Sequence, residues 1–272
     1  MSYNHTHDFK KQDIDRYLYE FAKEYKRLGG RHFPIEIILV GGAAVMENYG
    51  FREMTRDIDA ILPSASIVKE AIRHVGDMYD LPAGWLNDDF VRTESYSPKL
   101  FLHSVPYKTI NQVVNIRTVN AEYLIAMKLM SARNFKNDLS DIAGILYEHK
   151  TNGKDITFEM IDKAVKDLYG NWDKLPQESI NFLNDLLGSK DLNASYNKIR
   201  YDEEQTRKKL SEFERRFPGT LTKENLKLVE SLQFETRKND RVSVLTRLKE
   251  YAEELNKQQP AHSAKTKNQI EL

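Results

Sequence analysis

The feature that most constrains this chain is an apolar run that stops on two glycines: "IEIILV" at residues 35–40, then Gly41-Gly42, then "DIDAIL" at residues 57–62. The run is rich in β-branched residues and follows Pro34, which predicts a buried strand. Gly-Gly ends it. The stretch "AAVMENYG" leaves room for only a short helix before Gly50, and "DIDAIL" has the length of a second strand, stopped by Pro63. The expected order is strand, tight turn, short helix, strand.

Residues two apart in a strand face the same side, so Asp57 and Asp59 project together while Ile58 and Ala60 face the other way. Two carboxylates side by side are either a costly repulsion or a site for a divalent cation. Hard cations such as Mg2+ take oxygen ligands, commonly one or two carboxylates completed by phosphate oxygens and water. A glycine turn lets the backbone approach a ligand closely, and the start of the following helix offers unpaired amides to a phosphate. Each signal alone is weak, because Asp-x-Asp arises often by chance and Gly-Gly is usually a plain turn. Their order carries the reading. A dehalogenase-type phosphatase would place the acidic pair at the end of the apolar strand, where this chain has Gly-Gly, and a P-loop would need Gly-Lys-Ser/Thr.

Elsewhere the periodicity predicts helices over residues 13–28, 66–80 and 120–133, the last with Asn120 as its cap, and another from about residue 138. "LPAGWLNDDF" reads as a loop, and "KLFLHSV" and "QVVNIRTV" as a hairpin turning at Pro106-Tyr107-Lys108. Trp85, Tyr96, Phe101 and Tyr107 read as core. Beyond about residue 155 only helical patterns remain, so a first domain over residues 1–150, a helical domain over 155–257 and a disordered tail over 258–272 are expected. The fold class is α+β: a mixed sheet flanked by helices, followed by an all-helical domain.

Lys+Arg and Asp+Glu balance at 41 each, so no global field selects polyanions or membranes. There are no cysteines, which removes disulfides, thiolate nucleophiles and Cys-ligated zinc. The N-terminus lacks the apolar stretch of a signal peptide, and no segment approaches the ~20 apolar residues of a membrane span, so a cytoplasmic location and no membrane partner are expected.

Strand, Gly-Gly, short helix and an Arg-Asp-Ile-Asp strand together resemble the nucleotidyltransferase superfamily with its polymerase-beta-like fold. Within it, residues 38–62, "LPAGWLND" (81–88) and "AEYLIAMKLMSARNFKNDLSDIAGIL" (121–146) are similar to segments in the same order in AbiEii-type toxins and their uncharacterised bacterial relatives. The resemblance implies that Asp57 and Asp59 hold Mg2+, with Mn2+ as an alternative, that Gly41 and Gly42 contact the triphosphate of an NTP, and that Lys128 reaches phosphate. Arg56 and Arg133 join the glycines as nucleotide-binding candidates. The implied acceptor is RNA, protein or a small molecule, and the implied partner a small antitoxin.

One departure from the superfamily stands out. A third carboxylate usually lies on a later strand, where this chain has Asn115; Asp88 or Asp89 would have to fill that place from the loop. The alternative is a nucleotide- or RNA-binding module of the same fold without turnover. Lys128, Arg133 and Lys136 also fit the ordinary solvated face of a helix, Asp138 an ordinary N-cap and Asp141 a surface acid.

Overall fold

A computed structural model describes residues 8–222, 225–231 and 246. Helix α1 (Lys11–Arg27) precedes β1 (Ile35–Leu39), α2 (Gly41–Asn48) and β2 (Ile58–Ile61), in the expected order. Next come α3 (Ser66–Tyr79), β3 (Leu86–Asn87), β4 (Ser104–Ile110) and β5 (Val114–Val119). The helices α4 (Ala121–Ser131), α5 (Asp138–Thr151), α6 (Phe158–Tyr169), α7 (Gln177–Leu187), α8 (Leu192–Arg216) and α9 (Leu226–Ser231) follow.

The sheet is mixed, with strand order β3-β2-β1-β5-β4. β1 runs antiparallel to β2 and parallel to β5, β3 is parallel to β2, and β4 is antiparallel to β5. Ile37, Ile38 and Leu39 are all buried, so β1 is covered on both faces, whereas in β2 Ile58 and Ala60 are fully buried and alternate with less buried residues in the period-2 pattern. Among the described residues no helix is long and apolar enough to cross a membrane.

Two local expectations need correction. The loop read at "LPAGWLNDDF" contains β3, placed by Trp85: its ring is 2% exposed, its Nε1 donates to Ile72 O (3.1 Å), and its carbonyl accepts from Ile58 N (2.8 Å). The hairpin turns at Asn111-Gln112, both at positive φ (50° and 62°), while most of "KLFLHSV" is 3-10 helix (Pro98–His103). Paired positive φ matches the twist of a tight hairpin, which frees Pro106 to sit within β4. That strand tolerates proline because it lies at the sheet edge and its ladder is irregular between Pro106 and Lys108. Edge position also explains why Tyr107 is not core, at 38% exposed, and Phe101, on the 3-10 helix that leads into β4, is 49% exposed.

Contacts divide the chain into residues up to 133 with 137–199, and residues 134–136 with those from 200 onward. The break expected at 150–154 therefore falls later. α6 packs on α4, and its face of Ile161, Ala164, Val165 and Leu168 is buried in the same core as the sheet. The second unit buries Phe135, Leu210, Phe213, Phe217 and Val229. The tail expected over 258–272 lies outside the described residues, as does most of 232–257.

A buried carboxylate joins α1 to α3. Glu24 accepts two bonds from Arg27 (2.6 and 2.7 Å), and its Oε1 lies 2.6 Å from His74 Nδ1. The Arg27 hydrogen bonds outweigh the opposing effect of burial, and with help from His74 they hold the Glu24 carboxyl down at about 2, against an ordinary 4.5. Because the folded group titrates below the unfolded one, its stabilisation is complete above about pH 4.5 and is lost as pH falls towards 2. Glu24→Gln is expected to cost on the order of 2 kcal/mol near pH 7, allowing for the exposure of Arg27 to solvent. In urea denaturation the gap to wild type should close between pH 4.5 and 2; a gap constant with pH would assign the loss to packing instead.

Candidate functional site

The Gly-Gly turn is dictated by what surrounds it. Val40 is extended (φ −132°, ψ −175°) and caps α2, and its amide donates to Asp59 O (3.0 Å), so the turn is tied to β2 through the backbone. Gly41 has φ +56°, a conformation that costs most side chains about 1 kcal/mol or more, and a Cβ there would lie 2.7 Å from Asp59 Oδ2. A Cβ at residue 42 would lie 2.5 Å from Arg52 Nη2 and 2.6 Å from Thr55 Oγ1. The first glycine makes room for the Asp59 carboxylate, and the second for an arginine from the α2–β2 loop. Thr55 is fixed in turn by a bridge to the N-terminal segment: Phe9 N donates to Thr55 O (2.6 Å) and Thr55 N to Phe9 O (2.9 Å).

Asp57 stands just before β2 rather than inside it, but the alternation continues through it. Ile58 and Ala60 are fully buried while Asp57 and Asp59 are half-buried. Asp59 thus lies against the start of α2, whose first amides have no partner within the helix and whose dipole favours negative charge.

Linked to the turn is a chain of charges, buried at Lys128, Asp138 and Asp141 and ending at Arg133, whose side chain is 47% exposed. Lys128 Nζ donates to Asp141 Oδ2 (2.7 Å) and Asp138 Oδ1 (3.0 Å), all three side chains being at most 8% exposed. Arg52 Nη1 bonds Asp141, and its Nε donates to Met54 O (3.2 Å). Arg133 Nε donates to Asp138 Oδ2 (2.8 Å). Burial pulls the Lys128 ammonium down, but Asp141 and Asp138 outweigh it and hold it above the ordinary lysine value. Burial raises and the Lys128 and Arg133 charges more strongly lower the Asp138 carboxyl, which stays well below the usual range. For Arg133, burial is outweighed by Asp138, and Asp59 and Asp57 add to the upward shift. Three cations against two carboxylates leave the cluster one positive charge in excess, with Arg133 in the field of the acidic pair.

The remaining candidates are placed as follows. Asn137 caps α5, so Asp138 is its first residue, and both it and Asp141 are buried in the cluster rather than on the surface. Arg56 is exposed just before the pair, and Lys136 belongs to the 134–136 segment of the second unit. Asp88 caps a 3-10 turn (Asp89–Arg92), within which Asp89 pairs with Arg92 (3.0 Å). Asn115 sits opposite Glu36 in the β1–β5 ladder and accepts from Thr109 Oγ1 (2.9 Å). Val40, which touches Asp59, is four residues further along, about 13 Å at the rise of a strand, so Asn115 is not brought to the pair. Asn87, level with Asp59 in the β2–β3 ladder, is nearer.

Arg52 and Thr55 were not singled out in the sequence. The spacing of Asp138 and Asp141, three apart at the start of a helix and so on one face, hints that a cation lies opposite, but not which one.

Among the described residues no group of three or more His, Cys, Asp or Glu could hold a metal. The donors offered here are the half-buried carboxylates of Asp57 and Asp59, the second of them beside the start of α2. Such a set fits one hard divalent ion that takes the rest of its shell from water and ligand oxygens.

A family model described as "Nucleotidyltransferase of unknown function (DUF6036)" matches residues 16–169, more than half of the chain. The matched span holds the sheet, the glycine turn and the charge cluster, and it runs past residue 150 to the end of α6. No curated protein and no solved structure matches the chain.

Proposed function

We propose, because this chain belongs to the DUF6036 family of nucleotidyltransferases of unknown function, that it transfers a nucleoside monophosphate from an NTP to an acceptor hydroxyl. The observation that carries the reading is the approach of Asp59 to the Gly41 turn, which sets a carboxylate beside the start of α2, where a phosphate would be received. Asp57 and Asp59 would hold Mg2+, or Mn2+, which when bound supplies charge neutralisation at the triphosphate. The amides at the start of α2 receive phosphate oxygens, and Arg133, held by Asp138, faces the same charge. The acceptor oxygen bonds to the α-phosphorus, the bond to pyrophosphate breaks, and the hydroxyl proton leaves to water. Positioning and electrostatics supply most of the rate in such chemistry.

A second reading has its own support. With two carboxylates at the site and Asn115 distant from them, the protein would bind nucleotide without turnover. The likeness of residues 38–62, 81–88 and 121–146 to AbiEii-type toxins adds a growth-inhibiting role in a bacterial cytoplasm, with RNA or protein as acceptor and a small antitoxin as partner.

Titration calorimetry with ATP, GTP, CTP and UTP, with and without Mg2+, is paired with pyrophosphate release over RNA, protein and small-molecule acceptors. Release that EDTA abolishes is expected. Tight binding without release over the whole panel selects the second reading, and absence of any nucleotide binding refutes both.

A further inference from the structure

We propose that Arg52, in the loop between α2 and β2, is a positioning residue of this site: clamped by Asp141, its guanidinium supports the Gly41-Gly42 turn from below and sets where that turn meets Asp59. The inference rests on the transfer reading for its kinetic consequences.

The geometry is specific on both sides of the guanidinium. One side lies so close to Gly42 that Nη2 would be 2.5 Å from any Cβ at that residue, so the turn rests on the arginine rather than on an apolar cushion. On the other side Nη1 bonds Asp141, and Nε bonds Met54 O (3.2 Å) in its own loop. Its side chain is 13% exposed. A guanidinium is a rigid planar fork, so two bonds in different directions fix its plane. Lysine would keep the charge but could not reproduce the plane.

Through Asp141 the arginine is tied to Lys128, then Asp138, then Arg133. Those residues lie on α4, α5 and the connection between them, far from the turn in sequence. Arg52 is therefore the link by which the elements carrying Arg133 and the turn carrying the helix-start amides are held in one register. A displaced turn moves the phosphate cradle relative to Asp59, and a misplacement of about 1 Å at a reacting centre can cost on the order of 100-fold in rate.

The test compares full-length wild type, Arg52→Gln and Arg52→Lys. Arg52→Gln leaves Asp141 paired with Lys128, so the protein is expected to fold. For pyrophosphate release at saturating acceptor, Arg52→Gln is expected to lower kcat about 10- to 100-fold with KM for the NTP changed less than about threefold. Arg52→Lys should recover part of the lost kcat. Amide hydrogen exchange of the nucleotide-free proteins is measured alongside. Exchange in residues 44–47, which begins at the Ala44 amide bonded to Val40 O (3.2 Å), should speed up in Arg52→Gln while β5 is unchanged.

An active wild type with kcat intact in Arg52→Gln overturns the inference and leaves the transfer reading standing. A wild type that releases no pyrophosphate defeats the transfer reading, and the exchange data then decide on Arg52 alone: unchanged protection at residues 44–47 overturns it.

Discussion

Asp59→Ala is expected to lower kcat/KM for nucleotidyl transfer by about two to three orders of magnitude, the effect of removing one electrostatic stabiliser at a reacting centre, while the protein stays folded. The carboxylate is half-buried on the open side of β2, and the buried positions of that strand are Ile58 and Ala60, so truncation opens no cavity in the core. It also relieves the repulsion with Asp57. Arg133 keeps its bond to Asp138. Mn2+ titration should show weakened binding in parallel with the lost activity, and the thermal midpoint should move by no more than a few degrees. Undiminished Mg2+-dependent turnover in Asp59→Ala would remove the acidic pair from the mechanism.

Asp141→Ala acts in the opposite sense, through stability. Its carboxylate accepts from both Arg52 and Lys128, whose side chains are 13% and 8% exposed. Removing one member of a buried ion cluster leaves the others desolvated and uncompensated, at a cost of about 3–5 kcal/mol. In a chain of this size that lowers the melting temperature by roughly 10 °C. Lys128 retains Asp138, which keeps the loss towards the lower end, while Arg52 retains its bond to Met54 O (3.2 Å). Urea denaturation of Asp141→Ala and Asp141→Asn measures the effect, the asparagine giving the smaller loss because it still accepts a hydrogen bond. A loss below about 1 kcal/mol, the worth of an exposed pair, would show that the cluster is solvated rather than buried.

These two substitutions separate what the sequence states locally from what only the fold can assemble. Strand, glycine turn, short helix and acidic strand were legible because each is written in adjacent residues, by period-2 burial and by the absence of side chains at residues 41 and 42. β3 was not, because two residues carry no detectable period and its place comes from Trp85 packing. Pro106 suggests a turn, and nothing local reveals that its strand lies at an edge. The apolar stripe of α6 fits a separate helical domain as well as the sheet core, because a stripe does not say which core it covers. Arg52 and Asp141 are 89 residues apart, and no pattern of spacing could pair them. The candidate Lys128 was legible as a residue but not as the centre of a buried cluster.

The two glycines have unlike histories open to them. At residue 41 the obstacle is the backbone itself together with the carboxylate on β2, so no second change elsewhere admits a side chain while that acid is kept. At residue 42 the obstacle is the tip of Arg52 and the hydroxyl of Thr55, both removable. Descent can therefore replace Gly42 only after both the arginine and the threonine have been lost or shortened, and a lineage that takes the steps in the other order passes through a clash. The order of substitutions, more than their number, decides which neighbouring sequences this turn can reach.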